Sequence, residues 1–122
     1  MRLLLVEDED RIASFVQKGL SAHGYTVERV ATGAEAVVRA GSREFDLAIL
    51  DLGLTDMDGR EVLMGWRDRG IAVPVLILSA SLSHRDVETW RGLPNVVDAL
   101  AKPYDLYALL TRIDAVCGER VS

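Results

Sequence analysis

Three runs of consecutive apolar residues, each closed by a polar group, constrain this chain more than any other feature. Leu3–Val6 ends in Glu7-Asp8, Leu47–Leu50 in Asp51, and Val73–Leu78 in Ser79. Apolar residues in succession, without alternation, read as strands buried on both faces, the kind found inside parallel sheets. Pro74 is tolerable in the third run only near its start. The sharpest case is Asp46-Leu-Ala-Ile-Leu-Asp51, which opens into Leu52-Gly-Leu-Thr-Asp-Met-Asp-Gly59, a stretch that cannot continue a strand. Asp51 therefore falls where a buried strand gives way to a loop, the place where α/β sheets put their chemistry.

Helical patterns fill the spaces between these runs. Ile12, Phe15, Val16 and Leu20 recur at helical spacing from Asp10 to about His23, and Gly24 supplies the stop. Thr26–Val30 alternates and suits a half-exposed edge strand. Thr32 and Glu35 have the form of a capping box for a short helix that turns Ala36, Val37 and Ala40 inward and stops at Gly41. After Gly59 a helix carries Val62, Leu63 and Trp66 on one face and ends near Gly70. Residues Ser83 to Gly92 read as a further helix with a thin apolar face, mainly Val87 and Trp90. Val96 to Ala101 reads as a short last strand leading into Lys102-Pro103. Asp105 caps a final helix whose face is Leu106, Leu109, Leu110, Ile113 and Cys117, and Gly118 onward reads as a tail. Five strand–helix alternations with short connections predict a doubly wound, five-stranded parallel sheet in the order 2-1-3-4-5 with helices on both faces. The predicted domain is 1–118, with 119–122 a tail or the start of a linker.

Composition narrows the functional classes. A chain of 122 residues fits one domain with a real core, and a net charge of -5 gives no basic footprint for nucleic acid. No apolar run approaches the roughly 20 residues of a membrane span, and no signal peptide is visible, so a cytoplasmic location is expected. The single cysteine, Cys117, lies at a spacing that suggests burial.

In the predicted strand order, the polar groups after strands one, three, four and five share one rim: Glu7 and Asp8, Asp51, Ser79 and Lys102. Three carboxylates in one cleft repel, and a divalent cation compensates them. Mg²⁺ suits oxygen ligands: Asp8 and Asp51 directly, Glu7 through a water, and a loop carbonyl, that of Gly53, completing the set. A cation, a hydroxyl and a lysine around one aspartate suit phosphoryl transfer, with Asp51 as nucleophile and Lys102 and Ser79 stabilising the transferred group. Each piece also has an ordinary structural reading. An acidic pair opening a helix complements its dipole, and Asp51, Ser79 and Lys102 are each common loop residues. Their joint position is what points to chemistry.

The blocks Leu3-Leu-Leu-Val-Glu-Asp-Glu9, Asp46–Gly59, Pro74-Val-Leu-Ile-Leu-Ser-Ala80 and Ala101-Lys-Pro-Tyr104 resemble the signature blocks of response-regulator receiver domains, in order and over essentially the whole chain. The phrasing around Asp51 is most similar to the OmpR/PhoB class, which carries a winged-helix DNA-binding domain downstream. The resemblance implies a CheY-like fold, Asp51 phosphorylated by a sensor histidine kinase, Mg²⁺ near Glu7, Asp8 and Asp51, Ser79 at the switch position, and a cis Lys102–Pro103 bond. It also implies homodimerisation through the face of the fourth helix, fifth strand and last helix, with Asp98 and Arg112 as candidate charge pairs or solvated charges. The chain departs from the pattern in three places. Thr55 replaces the usual proline four residues after the aspartate, which predicts a looser loop. Ala99 replaces the switch aromatic. Pro94-Asn-Val-Val97 replaces the usual Gly-Ala before the last strand. Three function classes follow: a phosphorylation-driven switch, a phosphorylation-independent interaction module, and a small metal-dependent phosphatase or nucleotide-binding enzyme. The last lacks a P-loop or GxGxxG fingerprint.

Overall fold

The computed structural model describes residues 1–42, 44–80, 92, 93 and 95–121, the last four through their backbone. Five parallel strands, β1 (Arg2–Val6), β2 (Thr26–Val30), β3 (Leu47–Asp51), β4 (Val75–Ser79) and β5 (Val96–Ala101), form one sheet in the order β2-β1-β3-β4-β5. The described helices are α1 (Asp10–Ala22), α2 (Gly33–Ser42), α3 (Gly59–Asp68) and the C-terminal helix α4 (Leu106–Val121). The helix expected at 83–92, with Trp90, lies outside the described residues except for Gly92 at its end, which is in a turn.

The sheet explains the unbroken apolar runs. Alternate residues of one strand feed two separate cores. Leu4, Val6, Ala48, Leu50, Val75 and Ile77 pack with α2 and α3 on one face. Leu3, Leu5, Leu47, Ile49, Leu76 and Leu78 pack with α1 and α4 on the other. Every residue of β3 is buried, and each large aliphatic side chain withdrawn from water in this way contributes about 1.5–3 kcal/mol. Strand β2, at the sheet edge, buries only Val30 fully, as its alternation predicts.

Several helix details differ from the expectation. Ala13, Val16 and Leu20 make the buried stripe of α1, whereas Ile12 and Phe15 face outward, Phe15 at 62% exposure. Helix α2 continues through Gly41 to Ser42. Its Thr32 hydroxyl accepts the Glu35 amide at 3.1 Å, and the Glu35 carboxylate returns to that hydroxyl at 3.2 Å. Gly24 and Gly70, both at positive φ (100° and 71°), follow the ends of α1 and α3, where a side chain would be strained. Asp105 caps α4 by accepting the Ala108 amide at 2.7 Å. The backbone of α4 runs through Gly118 to Val121, so the residues read as a tail are helical. Cys117 is buried, and the Lys102–Pro103 bond is cis.

Register sets what reaches the rim. Val6 lies opposite Leu50, Asp51 opposite Leu78, and Ser79 opposite Ala101. Between Val75 and Leu76 the β4–β5 pairing shifts, with Val75 opposite Val96 and Leu76 opposite Asp98. Val97 is skipped and half-exposed. With that extra residue absorbed, β5 ends level with β4, and Lys102 follows directly at the rim.

Candidate functional site

Asp51 is the last residue of β3, and both the sheet and the loop beyond it act on its carboxylate. The Lys102 ammonium lies 2.7 Å from each of its oxygens. The Gly53 amide donates to Oδ1 at 2.8 Å. The Asp51 side chain is 3% exposed and that of Lys102 30%, so this pair is largely withheld from solvent screening. A Cβ on Gly53 would sit 3.3 Å from Asp51 Oδ1, so glycine lets the loop backbone close over the carboxylate.

Glu7 and Asp8 reach the same place from the end of β1. One oxygen from each of Glu7, Asp8 and Asp51 lies within 4.8 Å of the others. Asp8 Oδ2 accepts the Thr55 amide at 2.9 Å, and Glu7 Oε2 accepts the Glu9 amide at 3.3 Å. Glu7 Oε1 is buried with no hydrogen-bond partner among the described residues. Burial, then the neighbouring Asp51 charge, raises the Glu7 pKa above its ordinary value, against the opposing pull of the Glu9 amide and Lys102. A buried, unpaired oxygen inside a cluster of three carboxylates fits an oxygen-preferring divalent cation. The family's expected Mg²⁺ therefore suits the residues present.

The remaining predicted residues fall as follows. Ser79 ends β4 at the same rim, where its carbonyl accepts the Lys102 amide at 2.8 Å. Ala99 pairs with Ile77 further down β5 and packs against the core on the α2–α3 side, away from the carboxylates. Asp98 and Arg112 pair with each other, with the guanidinium 2.8 and 2.9 Å from the two carboxylate oxygens, and are engaged within one chain. The loop at Thr55 is not loose as expected. Thr55 bonds to Asp8, and Asp56 accepts the Gly33 and Ala34 amides of α2 at 2.9 and 3.2 Å.

Other neighbours carried no assigned role in the sequence. Arg29 of the edge strand donates to the Glu7 carbonyl at 2.9 Å and to Asp10 at 2.9 Å, tying β2 to the β1 exit. Tyr104 is held up to about 12 by burial, then by the Glu7 and Asp51 charges. Tyr104, Ile12, Phe15 and Leu106 line an open groove of about 550 Å³ beside Lys102. The alternation of β2 gave no sign of these partners, which the sheet brings together across 19 and 22 residues of sequence. Among the described residues, no helix is long and apolar enough to cross a membrane.

A doubly wound sheet with an aspartate–lysine pair and an acidic cluster at the carboxyl ends of its strands defines a class of α/β proteins with a site suited to a divalent cation beside a carboxylate. Residues 3–114 match the family model of the response regulator receiver domain, and the chain belongs to this family. It is 39% identical over 119 residues to the transcriptional regulatory protein QseB of Escherichia coli O157:H7, across 95% of this chain and 52% of that protein. It is 37% identical over 117 residues to the response regulator protein PmrA of Pseudomonas aeruginosa, across 95% of this chain and 52% of that protein. The chain thus spans about half the length of these curated relatives. Among solved structures it resembles the chemotaxis protein CheY4 of Vibrio cholerae, with a TM-score of 0.86 and 28% identity, over 94% of this chain and 97% of that one.

Proposed function

We propose that Asp51 accepts a phosphoryl group from the phosphohistidine of a sensor histidine kinase, and that the phosphorylated chain controls an output, by analogy with its transcription-regulating relatives a DNA-binding one. The observation that carries this reading is the buried Asp51 carboxylate, bridged by Lys102 through both oxygens beside two further carboxylates. An Asp51 oxygen attacks phosphorus, the P–O bond forms, and the P–N bond to the histidine breaks with its electron pair returning to the ring nitrogen, which takes a proton from solvent. Asp8 and Asp51 would hold Mg²⁺ directly, with Glu7 through water and the Gly53 carbonyl. When bound, the ion neutralises charge on the phosphoryl oxygens. Lys102 turns from the carboxylate toward the transferred group, and the Ser79 hydroxyl moves to meet another of its oxygens.

The groove beside Lys102, with Phe15 exposed on it, gives the donor protein an apolar surface next to the acceptor. A second copy docks on the face of β5 and α4, where Val97 and Tyr107 are exposed. The setting is cytoplasmic, and the role is that of a switch rather than a turnover enzyme. Incubation with Mg²⁺ and acetyl phosphate is expected to add one phosphoryl group by intact-mass spectrometry, and Asp51→Asn to abolish it. An adduct that persists in the variant, or none in the parent under any condition, refutes the assignment and leaves a phosphorylation-independent interaction module.

A further inference from the structure

We infer that Thr55 is a positioning residue for the cation site, acting through its backbone amide on Asp8. The inference rests on the cation site proposed above. Asp8 follows the buried Glu7 and is itself only partly buried. Repulsion from Glu7 and Asp51 would turn its carboxylate out to solvent unless something holds it. The Thr55 amide, 47 residues away in sequence, supplies that hold at 2.9 Å on Oδ2. A carboxylate has two oxygens and about four acceptor sites, so this bond leaves capacity for a cation.

The donor is itself fixed. The next residue, Asp56, receives two amides from the first turn of α2, and these bonds, the Gly33 amide foremost, hold its pKa below the usual value. The β3–α3 loop is thereby tied on one side to α2 and on the other to Asp8. Proline, the residue that receiver domains commonly carry at this position, has no amide hydrogen and cannot make the contact. The hold comes from the main chain, so the identity of the side chain at 55 matters only if it removes the N–H.

Calorimetric titration of Mg²⁺ into the unphosphorylated protein tests this without any phosphoryl transfer. Thr55→Ala is expected to bind Mg²⁺ within about twofold of the parent, and Thr55→Pro about tenfold more weakly, the scale of losing a partner behind a metal ligand. In parallel, the Thr55 amide of the full chain is expected to be protected from hydrogen exchange, and selectively deprotected in Asp8→Ala. This second reading decides the matter even where the proline variant does not fold. Equal affinity in Thr55→Pro, equal loss in Thr55→Ala, or an unprotected Thr55 amide overturns the inference. A folded parent that binds no Mg²⁺ overturns the cation site and this inference together, while an acetyl phosphate adduct on Asp51 would still stand.

Discussion

A carboxyl group with one oxygen sealed from water and a second carboxylate beside it holds its proton more firmly than it does in the unfolded chain. Glu7 is in that position. Its folded pKa lies above its unfolded value of about 4.5, so the folded state binds more protons in the window between them. The resulting stabilisation is complete below the unfolded value and is lost as pH rises through the raised one. In metal-free buffer, urea unfolding at about pH 5 and about pH 8 should show the parent losing on the order of 1 kcal/mol more than Glu7→Gln across that interval. An identical pH dependence in the two proteins would contradict this account of Glu7. The sequence made Glu7 a candidate because it follows an apolar run. It could not show that one of its oxygens is buried without a partner among the described residues, which depends on how distant elements meet at the rim. Thr55 illustrates the same limit. Its side chain suggested a looser loop, whereas its backbone amide is the group that matters, and a residue letter conveys an amide only by not being proline.

Helix α3 carries the loop after Asp51, and its seating on α2 depends on Trp66. That side chain is fully buried, and its indole N–H donates to the Ala36 carbonyl at 3.0 Å. Thr32, Glu35 and Asp56 fix the start of α2, so the two helices share one framework under the loop. Trp66→Phe removes the hydrogen bond and part of the ring volume, and should cost about 1–3 kcal/mol in urea unfolding. A stability unchanged from the parent would show that α2 and α3 do not need this contact. The burial of Trp66 was legible from its spacing with Val62 and Leu63. The outward turn of Ile12 and Phe15 was not. Both lie at helical spacing with Val16 and Leu20, but periodicity defines a face more broadly than α4 covers, and the difference becomes the open groove beside Lys102.

Across the whole molecule, two cores are filled by alternate residues of the same strands, and this is why the central strands were readable from apolar runs, while their order followed from the strand–helix alternation with short connections. The rim was readable for the same reason, since each run ended in the group that the sheet then aligned. The register shift beside Val97, which brings β5 level with β4, left no sequence trace. Ala99 packs into the core below the rim and offers no ring to transmit a change there. Beryllofluoride with Mg²⁺, a tetrahedral mimic of phosphate, should therefore move the amide resonances of Leu52–Asp58 well beyond those of β5 and α4. Comparable shifts on both would mean that another relay replaces the aromatic. The alignment of the rim also bears on how the chain matures. Asp51 and Lys102 are 51 positions apart, and the lysine directly follows the last strand of the sheet. Pairing of β1 with β3 alone would bring the three carboxylates to the rim without Lys102 beside them. On the proposed function, the acceptor site is therefore complete only once β5 has joined the sheet and brought Lys102 to the rim.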